Sequence, residues 1–356
     1  MANTKLETVL TQWQNLQPLA AIDRDRLSRR FTIDFNYNSN HIEGNTLTYG
    51  QTELLLLFGK IVGEANFRDC EEMKASNVGL QMMLVESSDK QLPLTQNFIR
   101  TLHRTLLRED YTVYRMLPGG VQTSYVIHAG QYKTRPNSVI TRYGDRFEYA
   151  SPEETPALMA DLVDWYNHAE QEGKLSPIDL AILFHYRYIR IHPFEDGNGR
   201  IARLMVNYIL SRHGYPMIVV RSRLKQDYLE ALHRADLIVG STPADGAHAS
   251  LKDIRPFHKY MVNLICHEIE NDVLFVTEKS QDVWWYDGER IAFRTPSYGK
   301  ILQELRREPK ATLAYLQEEI GINRSALQKL LQTLLDKHYV ERDADGSWRV
   351  FITPSI

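Results

Sequence analysis

A chain of 356 residues, 43% hydrophobic and 24% charged, has room for one large domain and one small one, each with its own core. A formal charge of −3 supplies no global field toward nucleic acid or anionic membrane, and two cysteines, Cys70 and Cys266, exclude a disulfide framework and a structural zinc site. The first residues lack a secretory pattern and the longest apolar run, residues 54–58, is too short to span a bilayer, so a cytoplasmic address and no membrane contact are expected.

Helical periodicity dominates the first 275 residues, starting with Leu6, Val9, Leu10 and Trp13, and residues 1–110 are expected to form an N-terminal helical region. Residues 130–140 break the pattern: they read as an extended piece turned at Pro136-Asn137. Residues 143–147 supply a second turn and short strand, completing a hairpin on a helical body. Leu158, Leu162 and Trp165 mark a further helix. Ser176 caps the next, with Pro177 at its first position and its end near Ile191; Asn198 or Gly199 opens another carrying Ile201, Leu204, Met205 and Tyr208. Residues 250–276 form a long amphipathic candidate, closing a core assigned to 111–275 and followed by a linker over 276–295.

Beyond a boundary between Asp287-Gly288 and Thr295-Pro296 the pattern changes. Helices are predicted over 297–307, over 313–320 behind the cap Thr312, and over 324–337 behind the cap Asn323. A hairpin of 339–342 and 348–351 follows, turned at 343–346. That order is a winged helix over residues 296–356.

The chemistry concentrates in the segment His192-Pro193-Phe194-Glu195-Asp196-Gly197-Asn198-Gly199-Arg200-Ile201-Ala202-Arg203. Gly197 and Gly199 let backbone amides approach a charged group, and the following helix points its N-terminus into the loop, which makes an anion site. Arg200 and Arg203 share one helix face beside it, an arrangement suited to a polyphosphate. Asp196 offers a hard oxygen for magnesium, His192 can accept a proton from an attacking hydroxyl, and Phe194 anchors the loop. Each feature alone has an ordinary structural explanation; no packing role demands all of them in this order over twelve consecutive residues.

Residues 192–203 resemble the complete Fic signature, His-Pro-Phe-x-Asp/Glu-Gly-Asn-Gly-Arg-x-x-Arg, at every defined position, and the wider resemblance runs over about residues 30–240. It implies a mainly α fold: a Fic-type helical core with a β-hairpin flap, followed by a small winged-helix (α+β) domain. It also implies a nucleotidyltransferase that moves AMP from ATP, with Mg2+, onto a Ser, Thr or Tyr hydroxyl of a target protein or of itself. His192 is then the base and Asp196 the metal ligand. Gly197, Asn198 and Gly199 hold phosphate oxygens, Arg200 lies on the β-phosphate side and Arg203 meets the γ-phosphate, with Ile201 and Ala202 in the same nucleotide-binding stretch.

Upstream, Ser39-Asn40-His41-Ile42-Glu43-Gly44-Asn45 on its own is a polar helix end. Beside a Fic core it resembles the inhibitory motif Ser/Thr-x-x-x-Glu-Gly/Asn, which implies that Glu43 pairs with Arg203 and holds the enzyme off; in some relatives the same glutamate positions water to remove AMP, so as a secondary reading Glu43 could serve both halves of a switch. Residues 130–140 resemble the Fic flap, with Asn137, Ser138 and Val139 facing nucleotide or target, and Tyr228 matches a tyrosine near the adenine, although it could be core. Asp236 stands where relatives often carry asparagine, and His185 reads as a buried, hydrogen-bonded histidine. A homodimer is expected from family habit.

From Pro296 onward nine Lys/Arg face eight Asp/Glu, a poor balance for a DNA-binding module, so DNA binding by the winged helix is not favoured and a protein-docking or dimerising role fits at least as well. Two other readings compete: the same fold with another nucleotide donor, and a non-enzymatic winged-helix regulator that senses nucleotide.

Overall fold

A computed structural model describes residues 2–116, 122–140, 146–280, 282–308, 310–337 and 339–350. The expected second turn at 143–145 and the last residue of the 348–351 strand lie outside the described residues. The first five helices are α1 (Ala2–Asn15), α2 (Ala21–Ile42), α3 (Tyr49–Phe58), α4 (Phe67–Ser88) and α5 (Gln96–Leu107). Two antiparallel ribbons follow, β1 (Tyr111–Met116) with β2 (Gln122–Ile127) and β3 (Ser138–Ile140) with β4 (Arg146–Glu148). The helices α6 (Thr155–Glu172), α7 (Pro177–Ile191), α8 (Asn198–Arg212), α9 (Lys225–Val239), α10 (Pro243–Ala247) and α11 (Arg255–Thr277) complete the larger body.

Its apolar core draws on α1, α2, α4 to α9 and α11, and α7 and α8 are its central pair: Ile182, Phe184, Tyr186, Ile201, Met205 and Tyr208 are fully buried. Local chemistry fixes the ends of that pair. The Ser176 hydroxyl accepts the Asp179 N–H at 3.1 Å ahead of Pro177, so α7 starts where the sequence places it. Gly197, with φ of 76°, turns the chain into α8.

The extended piece expected over 130–140 is shorter and bends elsewhere. Its bend falls at Thr134-Arg135, and regular strand begins only at Ser138. The cause is Lys133, whose backbone N–H donates to Pro193 O at 2.9 Å and ties the segment to the loop between α7 and α8.

The expected linker over 276–295 is instead a hairpin, β5 (Val283–Tyr286) with β6 (Glu289–Ala292), turned at Asp287 and Gly288, both with positive φ. Behind it stand α12 (Pro296–Arg307), α13 (Leu313–Ile320), α14 (Arg324–Asp336), β7 (Val340–Arg342) and β8 (Trp348–Val350), the winged helix the sequence predicts. Thr312 and Asn323 cap α13 and α14 by accepting the Tyr315 and Ala326 N–H groups at 3.2 and 2.8 Å.

This second core is not self-contained. Trp284 and Tyr286 of β5, Ile301, Leu305, Leu327 and Leu331 pack in one cluster with Ile33 and Tyr37 of α2 and Tyr49 of α3. Helix α2 therefore belongs to both cores, since Phe31, Phe35 and Ile42 lie in the larger one.

Between the cores sits a buried charge cluster. Arg221 bonds Asp34 at 2.8 Å, Glu268 at 2.6 Å and Asp287 at 3.1 Å; Arg30 bonds Asp272 at 2.7 Å. Carboxylates outnumber the buried guanidinium groups there. Burial accordingly drives Asp272 up to about 7 and Asp287 up to about 6. Among the described residues no helix is long and apolar enough to cross a membrane.

Candidate active site

Helix α7 ends on His192, which takes the left-handed conformation with φ of 51° while its N–H still donates to Tyr188 O at 2.9 Å. The last carbonyls of such a helix need partners. Lys133 supplies them: its ammonium donates to Ile191 O at 3.1 Å, to His192 O at 2.9 Å and to the Asn137 side-chain oxygen at 2.8 Å. All three N–H groups of Lys133 are thus used, and burial brings its pKa down to about 7.

The loop is also pinned from α5. Phe194 is fully buried, as expected of an anchor, and its ring stacks on His103 with centroids 3.7 Å apart. His103 Nδ1 accepts the Gly130 N–H at 2.8 Å, so its Nε2 carries the proton and donates to Asp196 O at 3.0 Å. Burial holds His103 neutral, with a pKa of about 4.

The start of α8 is the helix end expected to act as an anion cradle. The Asp196 carboxylate accepts from Gly197 N at 2.7 Å and from the Tyr111 hydroxyl at 2.6 Å, with Arg200 Nη2 at 3.5 Å. Burial pushes its pKa up, but the Arg200 charge and these hydrogen bonds outweigh it and leave Asp196 below the ordinary carboxylate value. No group of three or more His, Cys, Asp or Glu converges among the described residues. One carboxylate beside an anion cradle suits a hard cation that takes its other ligands from phosphate and water. Ile201 and Ala202 are fully buried, so their side chains serve the core and only their backbone could serve a nucleotide.

Arg203 is buried, 3% exposed, and does not stand open. Its Nη2 donates to Glu43 Oε1 at 2.7 Å and to Ser39 O at 2.8 Å, and its Nε to the Ser39 hydroxyl at 3.0 Å. Glu43 is the C-cap of α2. Its carboxylate lies so close over Gly199 that a Cβ there would fall 2.4 Å from Oε1. The carboxylate therefore occupies the approach to the first turn of α8.

Tyr228 is 2% exposed, bonded to His185 at 2.9 Å and packed among Phe257 and Tyr260. Its place is in the core behind Arg203, which also accounts for His185 as a buried, hydrogen-bonded histidine whose pKa burial lowers to about 3. Asp236 accepts from the Tyr186 hydroxyl at 2.8 Å and from Arg190 at 3.3 Å.

On the flap side, Ser138 is exposed at the head of β3, and the side chain of Val139 lies outside the described residues. Asn137, expected to face nucleotide or target, turns inward: its amide nitrogen is 2.9 Å from His192 Nδ1 and 3.0 Å from Phe194 O. Asn198 places its own amide nitrogen 3.1 Å from the same Nδ1. Tyr149 stacks on the His192 ring at 4.0 Å.

Four residues of this site escape sequence reasoning: Lys133, His103, Tyr111 and Tyr149. Lys133, Tyr111 and Tyr149 sit in or beside short ribbons without a clear period, and His103 is one polar residue on an amphipathic helix. Only the fold gives them a destination.

The sequence profile of the Fic/DOC family matches residues 93–210, and a winged helix-turn-helix DNA-binding profile matches residues 299–341. A crystal structure of a Fic domain containing signaling protein from Bacteroides thetaiotaomicron is 52% identical, with a TM-score of 0.72 over 78% of this chain and 98% of that one. The chain belongs to the Fic/DOC family. A solved Fic-1 fragment from Caenorhabditis elegans matches 78% of this chain and 74% of its own, at 25% identity and a TM-score of 0.60. Among curated Fic proteins, protein adenylyltransferase fic-1 of C. elegans is 29% identical over 301 residues, 84% of this chain and 52% of the relative. Protein adenylyltransferase Fic of Nematostella vectensis is 29% identical over 244 residues, 68% of this chain and 49% of the relative. The chain thus spans about half the length of the curated Fic relatives it matches.

Proposed function

We propose that this Fic protein is a protein adenylyltransferase that rests in an autoinhibited state. The observation that carries the reading is the 2.7 Å ion pair between Glu43 and Arg203 at the mouth of the α8 cradle. One partner belongs to the nucleotide-binding signature and the other to the segment resembling the inhibitory motif. Curated relatives named protein adenylyltransferase support AMP as the transferred group.

In the competent state ATP lays its phosphates along the N-terminus of α8. Backbone amides from Gly197 to Arg200 and the helix dipole meet the charge, and Arg203 is free for the γ-phosphate. Asp196 would hold Mg2+, which supplies charge neutralisation at the phosphates. A Ser, Thr or Tyr hydroxyl of a target protein, or of the chain itself, attacks the α-phosphorus in line; the bond to the β-phosphate oxygen breaks and pyrophosphate leaves. The hydroxyl proton goes to His192. Catalysis here is positioning and electrostatics. With Glu43 on Arg203, a triphosphate meets a carboxylate instead of a guanidinium and cannot settle in that pose.

Removal of AMP by the same site is a second reading. Oε2 of Glu43 has no hydrogen-bond partner among the described residues, and its side chain is 37% exposed. A carboxylate oxygen so placed could orient water toward an adenylylated hydroxyl.

The test is intact-mass analysis after incubation with ATP and magnesium. Glu43→Gly gains AMP-sized increments, while wild type and Glu43→Gly/His192→Ala do not. Equal labelling of all three proteins refutes the proposal; loss of AMP from a pre-labelled target only when Glu43 is present supports the second reading.

A further inference from the structure

The hydrogen bonds around His192 bear on the protonation of its ring. Two side-chain amides face Nδ1, and in each the orientation is dictated by a group with no choice of role. Asn198 receives the Phe194 N–H on its oxygen at 3.0 Å and returns its nitrogen to Phe194 O at 2.7 Å. A backbone N–H can only donate, so the Asn198 oxygen is where it is assigned, and its nitrogen faces Nδ1 at 3.1 Å. Asn137 gives its nitrogen to Phe194 O at 3.0 Å, and a carbonyl oxygen can only accept, which leaves its own oxygen on Lys133 Nζ at 2.8 Å. The Asn137 nitrogen therefore faces Nδ1 at 2.9 Å.

Nδ1 thus sees donors alone and must keep its lone pair. In a neutral imidazole the proton then resides on Nε2. With Nδ1 turned into the protein, Nε2 is the nitrogen left for an attacking hydroxyl, and a protonated Nε2 accepts nothing. Imidazolium is opposed as well, because an Nδ1–H would point at two N–H groups.

We propose that Asn137 is the positioning residue that sets the proton of His192, and that it must turn its side-chain oxygen to Nδ1 before His192 can act as base. The inference rests on the adenylyltransferase reading for its consequence, but not for its geometry. Asn198 exchanges both ends of its amide with the Phe194 backbone, whereas Asn137 gives its nitrogen to Phe194 O and its oxygen to a lysine side chain, the one partner of the four that is not backbone, so Asn137 is the amide that turns. When it does, Nδ1 carries the proton and donates to Asn137 Oδ1, and the Nε2 lone pair is available. The hydroxyl proton then moves to Nε2 as oxygen bonds the α-phosphorus and pyrophosphate leaves, and the imidazolium that results keeps an acceptor for each N–H.

Asn137 immediately precedes strand β3, and its carbonyl accepts the Tyr149 N–H at 3.4 Å, next to the ring that stacks on His192. Added backbone pairing on that ribbon is the event placed to rotate it. A target strand would thereby switch on the base it is about to use.

The test has two arms. Long-range proton–nitrogen spectra of full-length protein labelled with 15N-histidine, assigned by the signal lost in His192→Ala, report which ring nitrogen is protonated. The expected wild-type pattern is bare Nδ1 and protonated Nε2, reversed in Asn137→Asp and shifted toward reversal in Lys133→Met. A protonated Nδ1 in wild type, or no change in Asn137→Asp, overturns the inference. In the Glu43→Gly background, Asn137→Ala lowers kcat for self-modification at least about tenfold, part of a general base's usual contribution, with the ATP KM unchanged. Asn137→Asp keeps most of the rate. Equal kcat for all three proteins also overturns the inference. If Glu43→Gly takes up no AMP at all, the adenylyltransferase reading fails while the spectra still decide the tautomer.

Discussion

Replacing Glu43 by Gly should accelerate AMP incorporation by an amount that the resting ion pair itself sets. Arg203 is 3% exposed and Glu43 37%, so the pair lies between the exposed and buried classes. Exposed pairs contribute at most about 1 kcal/mol, and removing one partner of a fully buried pair costs about 3–5 kcal/mol. Arg203 would not be orphaned, because its two bonds to Ser39, at 2.8 and 3.0 Å, remain. A coupling of about 1–3 kcal/mol follows, and a γ-phosphate must displace exactly that contact to reach Arg203, which corresponds to a rate increase of about 5- to 150-fold. The assay is the initial rate of AMP incorporation by intact mass, with Glu43→Ala as control for the added backbone freedom of glycine. Glu43→Gln keeps the volume over Gly199 but removes the charge, and should fall between wild type and Glu43→Ala. Wild-type rates in Glu43→Gly and Glu43→Ala refute the reasoning. A rate in Glu43→Gln equal to wild type assigns inhibition to bulk rather than charge.

Other substitutions probe the scaffold. Arg221→Met takes the guanidinium from buried Glu268 and leaves Asp34 and Asp287 with only Arg30 at 3.8 Å and Arg223 at 3.4 Å as cations, which should cost about 3–5 kcal/mol and lower Tm by about 10 °C in calorimetry; an unchanged Tm contradicts the network. Asp272, raised to about 7 in the folded chain, binds a proton that the unfolded chain releases near the ordinary carboxylate value of 3.8, so stability falls as pH rises through that window, by at most about 1.4 kcal/mol per pH unit. Asp272→Asn should flatten the urea-denaturation profile between those limits, and an unaltered slope rules the group out. His103→Phe keeps a ring against Phe194 but leaves the buried Gly130 N–H unpaired, at about 1–3 kcal/mol, and frees the Asp196 carbonyl. In the Glu43→Gly background its kcat should drop, and full activity would show that the loop needs no pin from α5.

The two helices that flank the candidate loop were legible because their starts are written in local chemistry: Ser176-Pro177 ahead of α7 and Gly197 ahead of α8 need no tertiary context. Glu43 could be paired with Arg203 only through a resemblance, since 160 residues separate them and neither position advertises the other. The ribbon β1–β2 stayed hidden because it has no clean apolar face to impose a period of two: Tyr114 and Met116 are both exposed. The hairpin β5–β6 carried a usable signal, Asp287-Gly288 between two short runs, yet the change of pattern behind it made the same dipeptide read as a boundary. Asn137 marks a different limit. Its position was singled out, but the direction of its side chain depends on Lys133, which depends in turn on the carbonyls that end α7.

Helix α2 gives this arrangement its stiffness. Phe31, Phe35 and Ile42 fix one side of it in the larger core, Ile33 and Tyr37 fix another in the winged-helix core, and Asp34 is held by Arg221 and by the Tyr49 hydroxyl at 2.6 Å. Asn38, one turn on, donates to Asp287 at 2.6 Å and receives the Ser222 N–H at 2.7 Å. Glu43 ends this helix, so its carboxylate reaches Arg203 from a platform that neither core can shift alone. An inhibitory contact of a few kcal/mol is effective only if the group that makes it has no cheaper place to go, and a frayed α2 would give it one. Arg221→Met should therefore weaken the brake as well as the fold, with AMP incorporation rising toward that of Glu43→Gly at temperatures well below the lowered Tm. A destabilised but fully inhibited Arg221→Met protein would mean that the Glu43–Arg203 pair is held by its own last turn, and that the cluster between the two cores contributes stability alone.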